Sequence, residues 1–283
     1  MENATRTIYG SYIQTCLFFG LQPEFKASST LNEKLGINAT TLPSQNDKVS
    51  LAYYVIGNGG HQLAVGANGV PKPEPVQHRA TDAALYSQLP FVLREVNNDL
   101  SPAERVKYAL RKEEVHNSVR YIAYYARRID KTNLIPTMEY KVVNSGQETV
   151  TPFTPNSSNL SPIPPTMVNS GVNTVDGDYT TASARVSLVL TADDMTELLN
   201  VGNIIYNDSG FAIISEIGLC TGVDKVIAVT AENGGTFNFN DAIGVQIASH
   251  IPTMIPANFS NNGTSISLDV GATEPLWSLG SVV

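Results

Sequence analysis

From Pro102 to Pro136 the chain runs without another glycine or proline, its longest stretch free of backbone punctuation. Glycine and proline are where regular elements usually end, so a stretch without them favours long, unbroken structure. It opens on a helix-start signal: Ser101 as N-cap, Pro102 at the first helical position, and Glu104 able to close a capping box. Val115, Val119, Ile122, Ala126 and Ile129 then recur at spacings of four, three, four and three, one apolar stripe down a helix. The pattern predicts a single long amphipathic helix over about 102–130.

Around that element the chain reads as strands. Residues 1–26 suggest an apolar strand or two ending at Pro23, and KVSLAYYVI (48–56) with HQLAV (61–65) suggests a hairpin about the turn GNGG (57–60). PKPEP (71–75) reads as an extended spacer. Beyond Pro136, MEYKVV (138–143) and SARVSLVL (183–190) are strand-like, and Thr191 caps a short helix that Gly202 should stop. Further strands are expected at 203–206, 211–220, 225–231 and 235–249, with turns at NDSG, TGVD and ENGG, and a last one at TSISLDV before the tail LWSLGSVV. Residues 144–178, rich in Pro, Ser, Thr and Asn, should form a long loop or an arm that orders against a partner. The predicted class is α+β: a mixed or antiparallel β-rich domain with one long helix and extended arms. Its divisions fall at 1–78 (N-terminal arm and hairpin), 79–135 (helical) and 136–283 (β-rich).

Charge narrows the partners. Only 16% of residues are charged and the net charge is -8, which argues against binding a phosphate backbone. Residues 1–131 carry 15 Lys or Arg against 12 Asp or Glu, while residues 132–283 carry 3 against 14. Such polarity can set head-to-tail contacts between copies. No signal peptide and no run long enough to span a bilayer is evident, so a protein made in a cytosol with no membrane partner is expected. Cys16 and Cys220 stand alone, without the spacing of a zinc or dithiol site, and read as buried free thiols.

No chemistry-bearing constellation emerges. His61, His78, His116 and His250 are scattered without metal-ligand spacing. Gly57, Gly59 and Gly60 invite a phosphate-cradle reading, but Gln62 stands where a third glycine belongs. Asp193, Asp194 and Glu197 suit the first turns of a helix, and Asp176-Gly177-Asp178 lacks the further ligands of a calcium loop. Spacing cannot reveal a glycosidase carboxylate pair. The reading is a non-enzyme with no catalytic, cofactor-binding or metal residues.

What stands out is RYIAYYARRID (120–130). On a helix, Arg120, Tyr124, Arg127 and Arg128 would share faces away from the apolar stripe. Arg and Tyr are favoured interface residues, and Glu104, Glu113, Glu114 and Asp130 blunt the local positive field, so a protein interface is expected here rather than nucleic acid. The plainer alternative is a solvated face whose long stems cover apolar surface.

The segment QLPFVLREVNNDLSPAERVKYALRKEEVHNSVRYIAYYARRID, with FAIISEIGLCTGVDK later, resembles virion structural proteins of tailed bacteriophages over about a third of the chain. The resemblance implies a non-enzymatic subunit, present in many copies, that contacts itself and other virion proteins and resides in the virion. A ring of the neck, collar or tail is the first expectation and a major capsid protein the second. The competing class is a carbohydrate-binding or glycan-processing β protein, for which Trp277 is the single tryptophan on offer.

Overall fold

The computed structural model describes residues 4–66, 68–145, 147–160, 177–230, 234–257 and 263–275. In chain order the elements are β1 (Thr5–Arg6), α1 (Ile8–Phe18), α2 (Leu31–Leu35), β2 (Ser50–Gly57), β3 (His61–Val65), β4 (Pro71–Pro75), β5 (Gln88–Leu89) and β6 (Val92–Glu95). There follow α3 (Pro102–Arg105), β7 (Tyr108–His116), β8 (Val119–Arg128), β9 (Thr137–Asn144), β10 (Gln147–Pro152) and β11 (Gly177–Leu190). The chain closes with α4 (Ala192–Tyr206), β12 (Ile213–Thr230), β13 (Thr236–Pro256) and β14 (Thr264–Pro275).

The chain divides into two units, Met1–Ile129 with Val189–Thr264, and Asp130–Leu188 with Ser265–Val283. The first is built on an eight-stranded sheet ordered β1-β13-β12-β2-β8-β6, with β5 beside β2 and β7 beside β8. Its spine is the long β12–β13 hairpin, whose register shifts in three places. Such bulges bend and twist a strand without ending it. Ile13, Phe25, Val49, Val223 and Ile243 form a buried cluster against that hairpin. The second unit holds a four-stranded sheet, β10-β9-β11-β14.

The long helix over 102–130 does not form. Ser101 and Glu104 do close the reciprocal capping box, but α3 stops at Arg105, and the rest of the stretch is the antiparallel pair β7–β8. Asn117 and Ser118 turn the corner with φ of 50° and 66° between the paired His116 and Val119. Two consecutive left-handed residues are the signature of a two-residue type I′ hairpin loop. The apolar pattern misled because β8 is buried from Ile122 through Ala126 without a break. A central strand covered on both faces needs a continuous apolar run, which a helical template can also match. Tyr121, Ile122, Tyr124 and Tyr125, aromatic or β-branched, fit the pleated sheet better.

Other expectations shift too. Residues 8–18 are helical, not strand: Thr7 accepts from Gly10 N–H as the N-cap. The 57–60 turn does not pair β2 with β3; instead β3 pairs with β4, so PKPEP is itself a strand. Helix α4 runs through the buried Gly202 and ends at Asn207, which takes the left-handed conformation at φ 57°, so 203–206 is helix. TGVD is no turn but the middle of β12. In 144–178, residues 147–152 and 177–178 are strand, and 161–176, like Trp277, lie outside the described residues.

Candidate functional site

The four residues singled out in the sequence do not share a face. In strand β8, Arg120, Tyr124 and Arg128 project to one side and Arg127 to the other. Tyr124 is fully buried, and its hydroxyl donates to Asp99 at 2.7 Å. Burial, then Asp99, pushes that phenol well above its usual pKa. Arg127 pairs with Asp194 at 2.7 Å, at the first turn of α4. Burial pushes the Asp194 carboxyl up, yet Arg127 and the Thr191 cap together hold it below its ordinary value. Arg128 pairs with Asp224 at 2.7 Å and donates to the carbonyls of Asn240 (2.7 Å) and Tyr108. Arg120 alone of the four is exposed, paired with Glu113 at 2.6 Å.

These pairs alter the meaning of the charge polarity. Arg94–Glu197, Arg127–Asp194 and Arg128–Asp224 each join the basic half of the sequence to the acidic half inside one unit. Counted by unit, the first has 15 basic against 19 acidic residues and the second 3 against 7, so each carries -4.

The glycine-rich turn proves to be an anion cradle for the protein's own carboxylate. Glu216, buried in β12, accepts Gly59 N–H (3.2 Å) and Ser87 N–H (2.9 Å) on Oε1, and Tyr86 N–H (3.1 Å) on Oε2. A Cβ on Gly57 or Gly60 would stand 2.2–2.5 Å from Ser87, Ser215 or Glu216 atoms, so only glycine fits there. His78 completes the cluster, with Nε2 2.9 Å from Glu216 and Nδ1 3.2 Å from Asp82. Its ring stacks between Tyr86 (4.1 Å) and His250 (3.7 Å). His250 Nε2 faces the Asp82 carbonyl at 3.1 Å and so must carry the proton, while its Nδ1 is buried with no partner among the described residues. Burial holds His250 below its ordinary pKa. Two histidines and two carboxylates thus gather where the sequence offered only scattered residues. The cluster ties the irregular segment 76–87 and the base of the β3–β4 hairpin to β12. Among the described residues no group of three or more His, Cys, Asp or Glu is arranged to hold a metal ion.

The surface that sequence reasoning missed is α1. Its inner face buries Gly10, Ile13 and Cys16 against β13, and a Cβ on Gly10 would meet Ala248 at 2.7–2.9 Å. Its end is a Schellman turn: Gly20 sits at φ 68°, Leu21 N–H returns to Cys16 O at 2.8 Å, and Gly20 N–H to Leu17 O at 3.1 Å. The outer face should then be polar. It is not: Ile8, Tyr12 and Phe18 are exposed on it, and Leu17, Phe19 and Leu21 are exposed where the helix ends, Phe18 at 84%, Phe19 at 68% and Leu21 at 61%. Phe18 and Phe19 meet edge to face at 5.4 Å. Thr7 and Gly20, flanking the apolar run, were the readable signals of this helix. A second apolar feature lies on the β3–β4 hairpin, a separate two-stranded sheet exposing Leu63, Val65 and Val70. Among the described residues no helix is long and apolar enough to cross a membrane.

Fold and surface together define an antiparallel β-rich protein with exposed aromatic residues on α1 and an exposed apolar hairpin. Residues 1–282 match the model of a family described as "Family of unknown function (DUF7208)", and the chain belongs to that family. No curated protein and no solved structure matches it.

Proposed function

We propose that this chain is a non-enzymatic structural subunit that assembles in multiple copies, with copies of itself as the partner that covers α1. The observation that carries this reading is the exposure of Ile8, Tyr12 and Phe18 on α1 and of Leu17, Phe19 and Leu21 at its end, on a helix whose inner face is already buried. Exposed apolar clusters mark interaction surfaces, and aromatic residues dominate such interfaces. A second copy is favoured because the same chain supplies a complementary element. The β3–β4 hairpin exposes Leu63 and Val65, and two strands alone are marginal in water unless something packs on them. Hairpin onto helix face is a head-to-tail contact, the kind that closes into rings. The resemblance to tailed-phage virion proteins supplies the setting: a ring of neck, collar or tail, with a shell of capsid subunits as the alternative.

The test is light scattering coupled to size exclusion across a concentration series, with electron microscopy of the largest species. The native chain should self-associate into symmetric particles. Phe18→Ser/Phe19→Ser should remain folded by circular dichroism and run as a monomer. A native chain that stays monomeric at every concentration, or a double variant that assembles equally well, would overturn the reading.

A further inference from the structure

A cavity of about 500 Å³ opens in the first unit between helix α4 and residues 93–98, with Tyr121 of β8 also in its lining. That volume falls within the ~300–1,000 Å³ of small-molecule sites. Its polar groups are largely unused. Asn98, Asn200 and Asn203 make no side-chain hydrogen bond among the described residues, and neither does the Tyr121 hydroxyl. Asn200 and Asn203 stand in the body of α4, on an exposed stretch of helix. Glu, Gln, Lys or Arg would serve the helix better there, since asparagine lies well below them in helix propensity. Asparagine suits helices chiefly where its side chain bonds nearby backbone. Here it does not, because Thr191 caps one end of α4 and Asn207 closes the other. The charges in the lining are one guanidinium and two carboxylates. Arg94 holds Glu197 through Nη2 at 2.5 Å and Nε at 3.2 Å, and Glu95 has no ion pair among the described residues. Such a lining repels anions.

We propose that this cavity binds a neutral saccharide, its hydroxyls held by the amides of Asn98, Asn200 and Asn203 and its ring packed against Tyr121. An amide sets an NH2 donor beside a carbonyl acceptor, and each sugar hydroxyl both donates and accepts, so two neighbouring hydroxyls complement one amide. Tyr121 offers an apolar ring to the C–H face of a sugar and a free hydroxyl to its rim. Leu93 and Ile204 add the apolar wall that such pockets combine with a few convergent polar groups. The negative balance of the lining selects neutral sugars over sialylated or sulfated ones.

A glycan array carrying neutral, sialylated and sulfated saccharides, followed by isothermal titration with the best free neutral ligand, tests the proposal. Neutral saccharides should bind in preference to acidic ones. Asn200→Ala/Asn203→Ala should weaken that binding by about tenfold or more, the loss of two or more hydrogen bonds. Its melting temperature should equal or exceed that of the native chain, because alanine is the better helix residue. Tyr121→Phe, which keeps the ring, should weaken binding less. An array on which the native chain gives no signal above the double variant overturns the proposal, as does a preference for acidic glycans. A double variant that melts below the native chain also overturns it, since the amides would then serve the fold. None of the substituted residues belongs to α1 or to the β3–β4 hairpin, so a failure here leaves the assembly reading untouched.

Discussion

Replacing Glu216 by glutamine changes one oxygen for an NH2 and nothing in volume, yet it should cost more stability than any exposed substitution in the chain. The side chain is 1% exposed and accepts four hydrogen bonds, from the amides of Gly59, Tyr86 and Ser87 and from His78. A glutamine can present only one acceptor oxygen. With its NH2 toward Gly59 and Ser87 it strands two amide donors; turned the other way it strands the Tyr86 amide, while His78 Nε2 can accept from it with the ring proton on Nδ1 toward Asp82. Each such donor costs about 1–3 kcal/mol, and hydrogen bonds to a charged group sit at the upper end. Relief of the carboxylate's own desolvation offsets part of this, so we expect a net loss of roughly 1–3 kcal/mol, a large share of the ~5–15 kcal/mol of a typical domain. Equilibrium urea unfolding measures it, with Glu24→Gln, on the surface, as a control within about 0.5 kcal/mol of native. Hydrogen exchange should show the amides of Gly59, Tyr86 and Ser87 losing protection first. A loss below about 1 kcal/mol would mean the carboxylate is not the fastener described here.

Two further outcomes follow from the same geometry. Because burial depresses His250, the unfolded chain takes up a proton near the ordinary histidine pKa of 6.5 while the folded chain stays neutral there. Its contribution to stability is therefore present above that pH and lost as pH falls; urea midpoints at pH 7.5 and 5.5 should drop by at most ~1.4 kcal/mol per pH unit from this group, and His250→Gln should reduce the slope. Ser118, at φ 66° in the β7–β8 turn, should accept glycine with a gain of about 0.5 kcal/mol, whereas in a helix interior the change would cost about 1 kcal/mol; thermal melting of Ser118→Gly distinguishes the two.

What the sequence determined was local. The capping box at Ser101–Glu104, the Thr191 cap, β2, β3 and β9 all formed near where their residues indicated. The caps depend on bonds within a few residues, which sequence order alone brings together, whereas the strands were legible from their own apolar and β-branched runs although β2 and β9 pair with distant strands. The tertiary structure decided the fate of 106–130 and, with it, the site. A helix cap is worth about 1 kcal/mol, whereas burying Ile122, Tyr124 and Tyr125 on both faces of a central strand is worth about 1.5–3 kcal/mol apiece. The sheet wins that contest, although the same apolar spacing fits a helix on paper. Only folding could bring His78, Asp82, Glu216 and His250 together from separate strands and loops, or turn Arg94, Arg127 and Arg128 onto acids 67 to 103 residues away. Folding also decided which apolar residues were left over. Ile13 and Cys16 found β13, while Phe18, Phe19 and Leu21, in the same apolar run, stayed exposed among the described residues.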